Sequence, residues 1–298
     1  MTTTLPRLSE ARLRELLAAH AAALRADRVK GAAAGIGLAA LIVLAGWFAE
    51  VDLARMIGRI GTVGDYFGRI LVFDGGDHVG RPVLVAPGEW MWGIVHWSKL
   101  ILDTLLIAYL GTVVGAIGGF FLSFVAARNL GRAAWLRIGV KRWLEICRTV
   151  PELVFALVFV IAFGLGALPG VLALAIHTTG ALGKMFTEVV ENIDMRPVEG
   201  TSAAGASWWQ TIRFAVVPQV LSNFASYALL RFEINVRGAS VMGFVGAGGI
   251  GQDLLEAIRK FYYADVSAIL VLIIATVMII DLLTERLRHR FIAEGARA

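Results

Sequence analysis

The chain has 298 residues and a formal net charge of +5, yet only 17% of its residues are charged and 58% are hydrophobic. Soluble domains have about 25% charged and about 45–50% apolar residues. The composition therefore excludes a soluble enzyme with an ordinary polar surface and a disordered chain. Because Cys147 is the only cysteine, a disulfide-stapled secreted domain is excluded as well. The expected fold class is an all-α membrane protein.

The amino-terminal part of the chain predicts a basic arm followed by a membrane anchor. Residues 1–30 carry six Lys or Arg side chains, and residues 31–51 are almost entirely apolar. Such a stretch is long enough to cross the ~30 Å hydrocarbon layer as a helix. It starts too late and is too long for a signal peptide, so we interpret it as a retained first span.

Five further spans are predicted from the apolar blocks. The second covers about residues 100–127, and the fifth and sixth cover about 219–245 and 266–283. Residues 151–185 are apolar but interrupted by GLGALPG at 164–170, a pattern typical of a turn. This block is interpreted as two short spans of under about 20 residues each, with a start near Trp143 as the alternative.

Basic residues set the predicted orientation. Cytoplasmic loops carry an excess of Lys and Arg. Three segments of this chain are basic: the arm, the stretch after span two, and the tail (residues 289–298) with the end of span six. The stretch after span two contains Arg128, Arg132, Arg137, Lys141, Arg142 and Arg148, and the tail region contains Arg286, Arg288 and Arg290. Six spans place both termini and the loop at about 186–218 in the cytoplasm. Residues 52–98 then form an extracytoplasmic loop with interfacial segments, in which Trp90, Trp92 and Trp97 are expected as interfacial anchors.

Signals for a nucleic-acid, metal or cofactor site are absent from the sequence. The basic residues cluster beside spans, which favours a bilayer with anionic lipid as the partner over nucleic acid. The five histidines lack ligand spacing, and Gly183-Lys184 is not part of a Walker A motif. A GxGxxG match lies between two spans, where no βαβ unit can form, so it predicts no dinucleotide site. We interpret it as a tight outer loop of Gly246, Gly248, Gly249 and Gly251.

The loop at about 186–218 has the character of a docking element. Glu199 is placed to begin a short helix, where a carboxylate favours the helix dipole. The small residues that follow predict a narrow protruding face with a sharp change of direction at Gly205, and comprise Gly200, Thr201, Ser202, Ala203, Ala204 and Ala206. Trp208, Trp209 and Ile212 are predicted to supply an apolar interface, and Pro218 the first turn of span five.

Span five contains four polar residues whose faces can be worked out. At 100° per residue, Arg231 and Asn235 share one face, whereas Glu233 and Arg237 share roughly the opposite one. Charges inside a span face the bundle interior or a wet cavity. Either Glu233 and Arg237 neutralise each other structurally, or Arg231, Arg237 or both guide an anion through a pore. His177 in span four either packs and hydrogen-bonds to a neighbouring helix or has a functional role.

The loop resembles the EAA loop of ABC-importer permeases, in which Glu-Ala-Ala-x-x-x-Gly is followed after nine residues by Ile-x-Leu-Pro. The matching positions are Glu199, Gly205 and Pro218, with Val217 in the place of leucine. Gly200 and Thr201 replace the two alanines, and Ala215 replaces the isoleucine. The loop at about 186–218 is called the coupling loop below.

Four flanking runs are similar to the permease subunit of phosphonate ABC importers. They are RTVPELVFALVFV (148–160), GVLALAIHTTGALGKMFTEVVENID (170–194), RFEINVR (231–237) and VGAGGIG (245–251). The resemblance covers about residues 98–288 and implies a type I importer transmembrane domain over 99–288. It implies a homodimer in the bacterial inner membrane, two cytoplasmic ATPases that bind ATP and Mg²⁺, and an extracytoplasmic binding protein. No catalytic residue and no cofactor are then expected on this chain.

Three alternatives remain open from the sequence. A permease for another small solute such as methionine shares the loop spacing. An ATP-independent secondary transporter or channel would require matching broken helices in an inverted repeat. An intramembrane enzyme would require a constellation of titratable residues at helical spacing. RFEINVR and the run in span four favour a phosphorus oxyanion.

Overall fold

The computed structural model describes the backbone of residues 9–131 and 133–295, and side chains as far as residue 290. Residues 1–8 of the predicted arm, Arg132 and the end of the predicted tail lie outside the described residues. Helices account for nearly all of the described structure, which contains an isolated bridge between Val72 and Pro82 but no strand. The all-α prediction is confirmed.

Two units make up the chain, residues 1–65 and 66–298. The first contains the long helix α1 (Glu10–Phe48), which joins the arm and the first span in one rod, followed by α2 (Leu53–Gly58) and the start of α3 (Ile60–Ile70). The second contains the rest of α3 and then α4 (Pro87–Trp90), α5 (Ile94–Ala126), α6 (Ala134–Thr149), α7 (Glu152–Phe163), α8 (Ala167–Glu191), α9 (Arg196–Ala203), α10 (Trp208–Thr211), α11 (Val217–Met242), α12 (Gly251–Arg259) and α13 (Tyr263–Gly295).

Long apolar helices are fewer than the six predicted spans. Among the described residues, α1, α5 and α13 are long and apolar enough to cross a membrane, and α6 with α7 count as a fourth only if this pair, bent by 85°, is one span. Helices α8 and α11 are also long enough but are more polar, because they carry the charged and small residues discussed below. The count of six therefore stays a prediction.

The apolar block at 151–185 differs from the prediction of two short spans. Helix α7 has only 12 residues, whereas α8 has 25, because α8 continues into the polar coupling loop as far as Glu191. The break between α6 and α7 falls at Val150–Pro151, since a residue before proline is pushed to an extended conformation and Val150 has φ −73° and ψ 124°. The alternative start near Trp143 falls inside α6, which begins at Ala134, so it stays a prediction.

Helix α8 is the centre of the second unit. Gly115 and Gly119 of α5 allow its backbone to lie against α8, where an added Cβ at Gly119 would lie 2.9 Å from the backbone nitrogen of Gly183. On another side α8 packs against α11, and the rings of Phe186 and Phe224 stack with centroids 3.9 Å apart. These contacts hold α5, α8 and α11 as one bundle.

The segment before α5 is more ordered than a loop. Trp97 lies inside α5 and is only 3% exposed, so the prediction that it is an interfacial anchor is wrong. It packs with Ile250 and Leu254 because α5 starts three residues before it. Trp90 is half-buried and donates to the Ser267 hydroxyl at 2.9 Å, whereas Trp92 remains 69% exposed.

Candidate functional site

The coupling loop folds into two short helices joined by a turn. Helix α9 contains Glu199 in its first turn, as expected, and α10 starts at Trp208 with a capping box formed by Ser207 and Gln210. Between them Gly205 has φ +83°, a left-handed conformation that suits glycine. The change of direction predicted at Gly205 is confirmed.

The exposed part of this loop is a compact knob. Glu199, Gly200, Ser202, Ala203, Ala204 and Gly205 are exposed, while Thr201 and Ala206 are half-buried. A Cβ added to Gly200 or Gly205 would meet no atom within 4 Å. The knob therefore presents small side chains and one carboxylate to the surroundings. We use the term knob for residues 199–206 below.

The predicted apolar interface of the loop is largely buried in the structure. Ile212 is 4% exposed and belongs to the core cluster, because it faces α9 and α8 in the folded bundle. Trp208 is half-buried and its indole donates to the carbonyl of Leu130 at 3.1 Å. Only Trp209 remains accessible, at 58% exposure. The first two residues anchor the knob instead of forming its outer face.

An amide at the start of α11 also ties the knob to the bundle. The Gln219 carbonyl oxygen accepts from the backbone nitrogen of Asp194 at 3.1 Å, and its amide nitrogen donates to the Asp194 carbonyl at 3.2 Å. The Asp194 carboxylate in turn accepts from the backbone nitrogen and guanidinium of Arg196. These two hydrogen bonds lower the pKa of Asp194 below its usual value.

Pro218 lies in the first turn of α11, as predicted, although no loop separates this helix from the one before it. Residues 208–242 are continuously helical, with a π-helical segment at Ile212–Val216 directly before α11. Proline lacks the N–H that an α-helix would bond to the carbonyl four residues earlier, and its ring crowds that carbonyl. A wider π turn accommodates both effects. Pro218 thus lies at the junction between the π segment and α11, and no loop separates α10 from α11.

A polar cluster lies at the middle of α8 and α11. The Arg231 guanidinium is 2.6 Å from Nδ1 of His177, and Nε2 of His177 is 3.1 Å from the Arg148 carbonyl. Because a guanidinium can only donate, Nδ1 accepts and Nε2 carries the proton, which makes this imidazole neutral. Glu152 lies 3.3 Å from the same Nδ1 and balances the charge of Arg231.

Asn235 extends this cluster towards α5. Its amide donates to the hydroxyls of Thr112 at 2.8 Å and Thr178 at 2.9 Å, and it is 1% exposed. Arg231 also reaches Thr178, so the prediction that Arg231 and Asn235 share a face is confirmed. The hydrogen bond predicted as one reading of His177 is present as well. Asn235 of α11 thus links α5 and α8 at this level.

The opposite face of α11 carries a separate ion cluster. Arg237 pairs with Glu233 of the same helix and with Asp281 of α13, the latter at 3.0 Å. Thr284 of α13 also approaches Glu233, at 3.5 Å. One guanidinium is thus held by two carboxylates, which leaves a net negative charge. This arrangement matches the structural interpretation of Glu233 and Arg237.

The glycine-rich turn has the geometry expected of a tight loop. Gly246, Gly248 and Gly249 have φ between +82° and +86°, and a Cβ on Gly251 would lie 2.2 Å from the Ser240 carbonyl. The turn does not lead straight into the last span, because α12 follows it over Gly251–Arg259. The connection between α11 and α13 is therefore longer than predicted.

Two carboxylates of these clusters were missed by the sequence interpretation. Glu152 lies within the run RTVPELVFALVFV, but its partner is on another helix and has no fixed spacing from it. Asp281 was a single acid in the last span, and only the packing of α11 on α13 places it beside Arg237. No group of three or more potential metal ligands occurs in the part of the chain that the structure describes.

Comparison with known proteins gives a family match. The family described as "Binding-protein-dependent transport system inner membrane component" matches residues 119–293, more than half of the chain. The matched region contains α8, the coupling loop, α11 and most of α13.

Three relatives illustrate the similarity. The chain is 44% identical over 200 residues to a phosphite transport system permease of Stutzerimonas stutzeri, covering 67% of this chain and 72% of that one. It is 39% identical over 192 residues to a phosphate-import permease of Mycolicibacterium smegmatis, covering 64% of this chain but only 36% of the relative. Over 121 residues, 41% of this chain, it is 54% identical to 99% of an Escherichia coli K12 protein named as a candidate cryptic phosphonate transport system permease.

Solved structures share the fold. An inward-facing MetNI methionine ABC transporter chain superimposes with a TM-score of 0.58 at 21% identity, covering 69% of this chain and 98% of that chain. At this identity the likeness concerns the fold alone. It confirms the prediction of a type I importer permease fold.

Proposed function

Since the chain belongs to the family of binding-protein-dependent transport system inner membrane components, we propose that it is the permease subunit of an ATP-driven importer for a phosphorus oxyanion. The substrate class covers phosphite, phosphonate and phosphate, the solutes in the names of its relatives. The observation that carries it is 44% identity over 200 residues to a phosphite permease. The recognised family is a transport subunit, not an enzyme, and the chain is a multi-pass membrane protein.

The knob is the proposed contact with a cytoplasmic ATPase dimer. It protrudes with small side chains, it is anchored by Trp208 and by the Gln219 amide, and the helix that begins just after it at Trp208 runs without interruption into α11. A partner that pushes the knob therefore moves α11 directly. ATP and Mg²⁺ are bound by the ATPases, and this chain binds no cofactor of its own in the proposal.

The cluster at mid-depth is the proposed translocation site. Arg231 and Asn235 lie on the face of α11 that meets His177 and Thr178 of α8, whereas Glu233 and Arg237 lie on the face that meets α13. Since two carboxylates already neutralise Arg237, we assign it to stability. Arginine has a planar fork that matches the oxygens of a tetrahedral anion, so Arg231 is the better candidate for contact with the substrate.

The remaining parts of the assembly follow from the family. We propose two copies of this chain around one pore, an extracytoplasmic binding protein that delivers the substrate, and both termini in the cytoplasm of a bacterial inner membrane. The glycine-rich turn from Gly246 to Gly251 then lies on the outer side. Native mass spectrometry of the purified permease should show a dimer.

Uptake in cells tests the function. In a strain whose phosphorus supply depends on this transporter, uptake of ³²P-phosphite or growth on methylphosphonate should require the chain. Retained uptake after its deletion, or a preference for methionine, would refute the substrate class.

Co-purification tests the docking. Glu199→Lys on the knob should release the ATPase, whereas Glu256→Lys on α12, where the Glu256 side chain is 61% exposed, makes the same charge change at the proposed outer side and should not. Equal retention of the ATPase by both variants would contradict the assignment of the knob.

A further inference from the structure

Arg148 is a charged residue that the site above does not use through its side chain. It is the penultimate residue of α6, immediately before the break at Val150–Pro151. Its backbone lies against α8, where a Cβ on Gly180 would be 2.6 Å from the Arg148 nitrogen, and its carbonyl bonds to His177. Arg148 is therefore fixed at the level of the His177–Arg231 cluster, deeper than the cytoplasmic stretch in which its basic neighbours predicted it.

This level is far from both ends of α8. His177 is ten residues from the start of the helix and fourteen from its end, or about 15 Å and about 21 Å at a rise of 1.5 Å per residue. Both distances place the cluster near the middle of a ~30 Å hydrocarbon layer. The Arg148 side chain is nevertheless exposed, and it forms no ion pair with any residue that the structure describes.

An exposed arginine at mid-depth faces lipid, protein or water. An arginine in the bilayer centre costs at least about 2.5 kcal/mol, so such residues face the bundle interior or a water-filled cavity. Ile146 and Arg148 are 200° apart around α6, and Ile146 is 57% exposed. Ile146 thus lies on the apolar side of α6, which can face lipid, and Arg148 points away from that side.

The charge balance of the cluster gives Arg148 a role. Arg231 is balanced by Glu152, and His177 is neutral when it bonds to both arginines as described. Without another cation the cluster is neutral and offers an anion no net attraction. The Arg148 guanidinium makes the net charge +1.

We propose that Arg148 is a specificity-determining residue that faces the translocation pathway and, with Arg231, forms the mid-depth binding site for a phosphorus oxyanion. This inference rests on the proposed function. Each guanidinium fork binds one edge of the tetrahedral anion, which suits substrates with two or three peripheral oxygens. His177 holds the two arginines at the same level, because it bonds to the Arg231 side chain and to the Arg148 backbone.

Thiol accessibility tests the position of Arg148 with the permease alone. In a Cys147→Ala background, Arg148→Cys and Ile146→Cys are compared in proteoliposomes with an anionic and a cationic methanethiosulfonate reagent. We expect the Cys at 148 to react with both reagents, since the cluster is neutral without Arg148, and the Cys at 146 to stay unreactive. A thiol at 148 no more reactive than that at 146 overturns the proposal.

Uptake kinetics test its role in recognition. Arg148→Gln should raise the KM for ³²P-phosphite uptake about tenfold or more, the scale of one charged hydrogen bond. Arg148→Lys, which keeps the charge but not the fork, should fall in between. Arg142→Gln is the matched control, since Arg142 is exposed on the same helix and bonds to Glu145.

The outcomes separate the inference from the proposed function. Equal KM values for Arg148→Gln and Arg142→Gln overturn the role of Arg148 even if phosphite is transported. If the wild type transports no phosphorus oxyanion, the proposed function fails and the substrate assignment of Arg148 fails with it. A purely structural Arg148 would lower the amount of permease in the membrane with KM unchanged, which also overturns the proposal.

Discussion

Replacing Gly205 by alanine tests whether the shape of the knob carries the motion of the ATPase. Gly205 has φ +83°, and a Cβ there would meet no atom within 4 Å. The substitution therefore adds no clash, and its cost is the left-handed backbone of a residue with a Cβ, about 1–2 kcal/mol. A loss of this size lowers the population of the native turn by about tenfold. We expect transport to fall while the bundle stays folded.

Two matched variants separate backbone strain from loss of contact. Gly200→Ala also adds an exposed methyl group, but within helix α9, where alanine is favoured over glycine by about 1 kcal/mol. Transport should be unchanged in this variant. Asparagine tolerates the left-handed conformation, so Gly205→Asn should retain more transport than Gly205→Ala despite its larger side chain.

The assay is ATP hydrolysis and uptake by the permease reconstituted with its ATPase and binding protein. Binding of the ATPase is measured in parallel by co-purification. If Gly205→Ala transports as well as Gly200→Ala, the reasoning about the turn is refuted. If Gly205→Asn is worse than Gly205→Ala, contact at this position matters more than backbone conformation.

Three further outcomes are expected. Phe186→Ala removes a ring that is 2% exposed and should lower the free energy of unfolding by about 3–5 kcal/mol, measured by denaturation in detergent. Arg237→Gln leaves two carboxylates unpaired and should reduce the amount of folded permease in the membrane, whereas Asp281→Asn should reduce it only slightly. A larger loss in Asp281→Asn than in Arg237→Gln would contradict a structural role of the pair. Because the pKa of Asp194 is lowered in the folded state, its ionised carboxylate stabilises the fold above the unfolded pKa of about 3.9, and this stabilisation is lost as pH falls through the folded pKa. Arg196→Ala should therefore reduce the difference in melting temperature between pH 6 and pH 3.

Residue type and spacing predicted the elements that depend on local chemistry. The positive φ at Gly205, the helix that begins near Glu199 and the shared face of Arg231 and Asn235 all follow from backbone preference or helical geometry. The all-α class followed from composition. The family was recognisable from the runs in α7, α8 and α11.

Features that depend on packing between distant segments were not predictable in this way. Trp208 and Ile212 have the spacing of an exposed apolar face, and only the packing of the folded bundle shows that Ile212 is buried and Trp208 half-buried. The π segment before Pro218 arises because the helix continues through a proline that would ordinarily start it. Asp281 and Glu152 acquire their partners across helices, and hydropathy carries no information on such pairs.

Helices α8 and α11 are fastened to each other at two heights. Near the coupling loop the Phe186–Phe224 stack joins them, together with the Gln219 amide on Asp194 just beyond the end of α8, and at mid-depth the Asn235 amide donates to Thr178. We expect two helices joined at both levels to tilt together as one rigid body and not to separate from each other. In the proposed homodimer, the passage for solute would therefore open beside this pair of helices, at the contact with the second copy. We expect inhibitors that bind at that contact to block transport without contacting the ATPases.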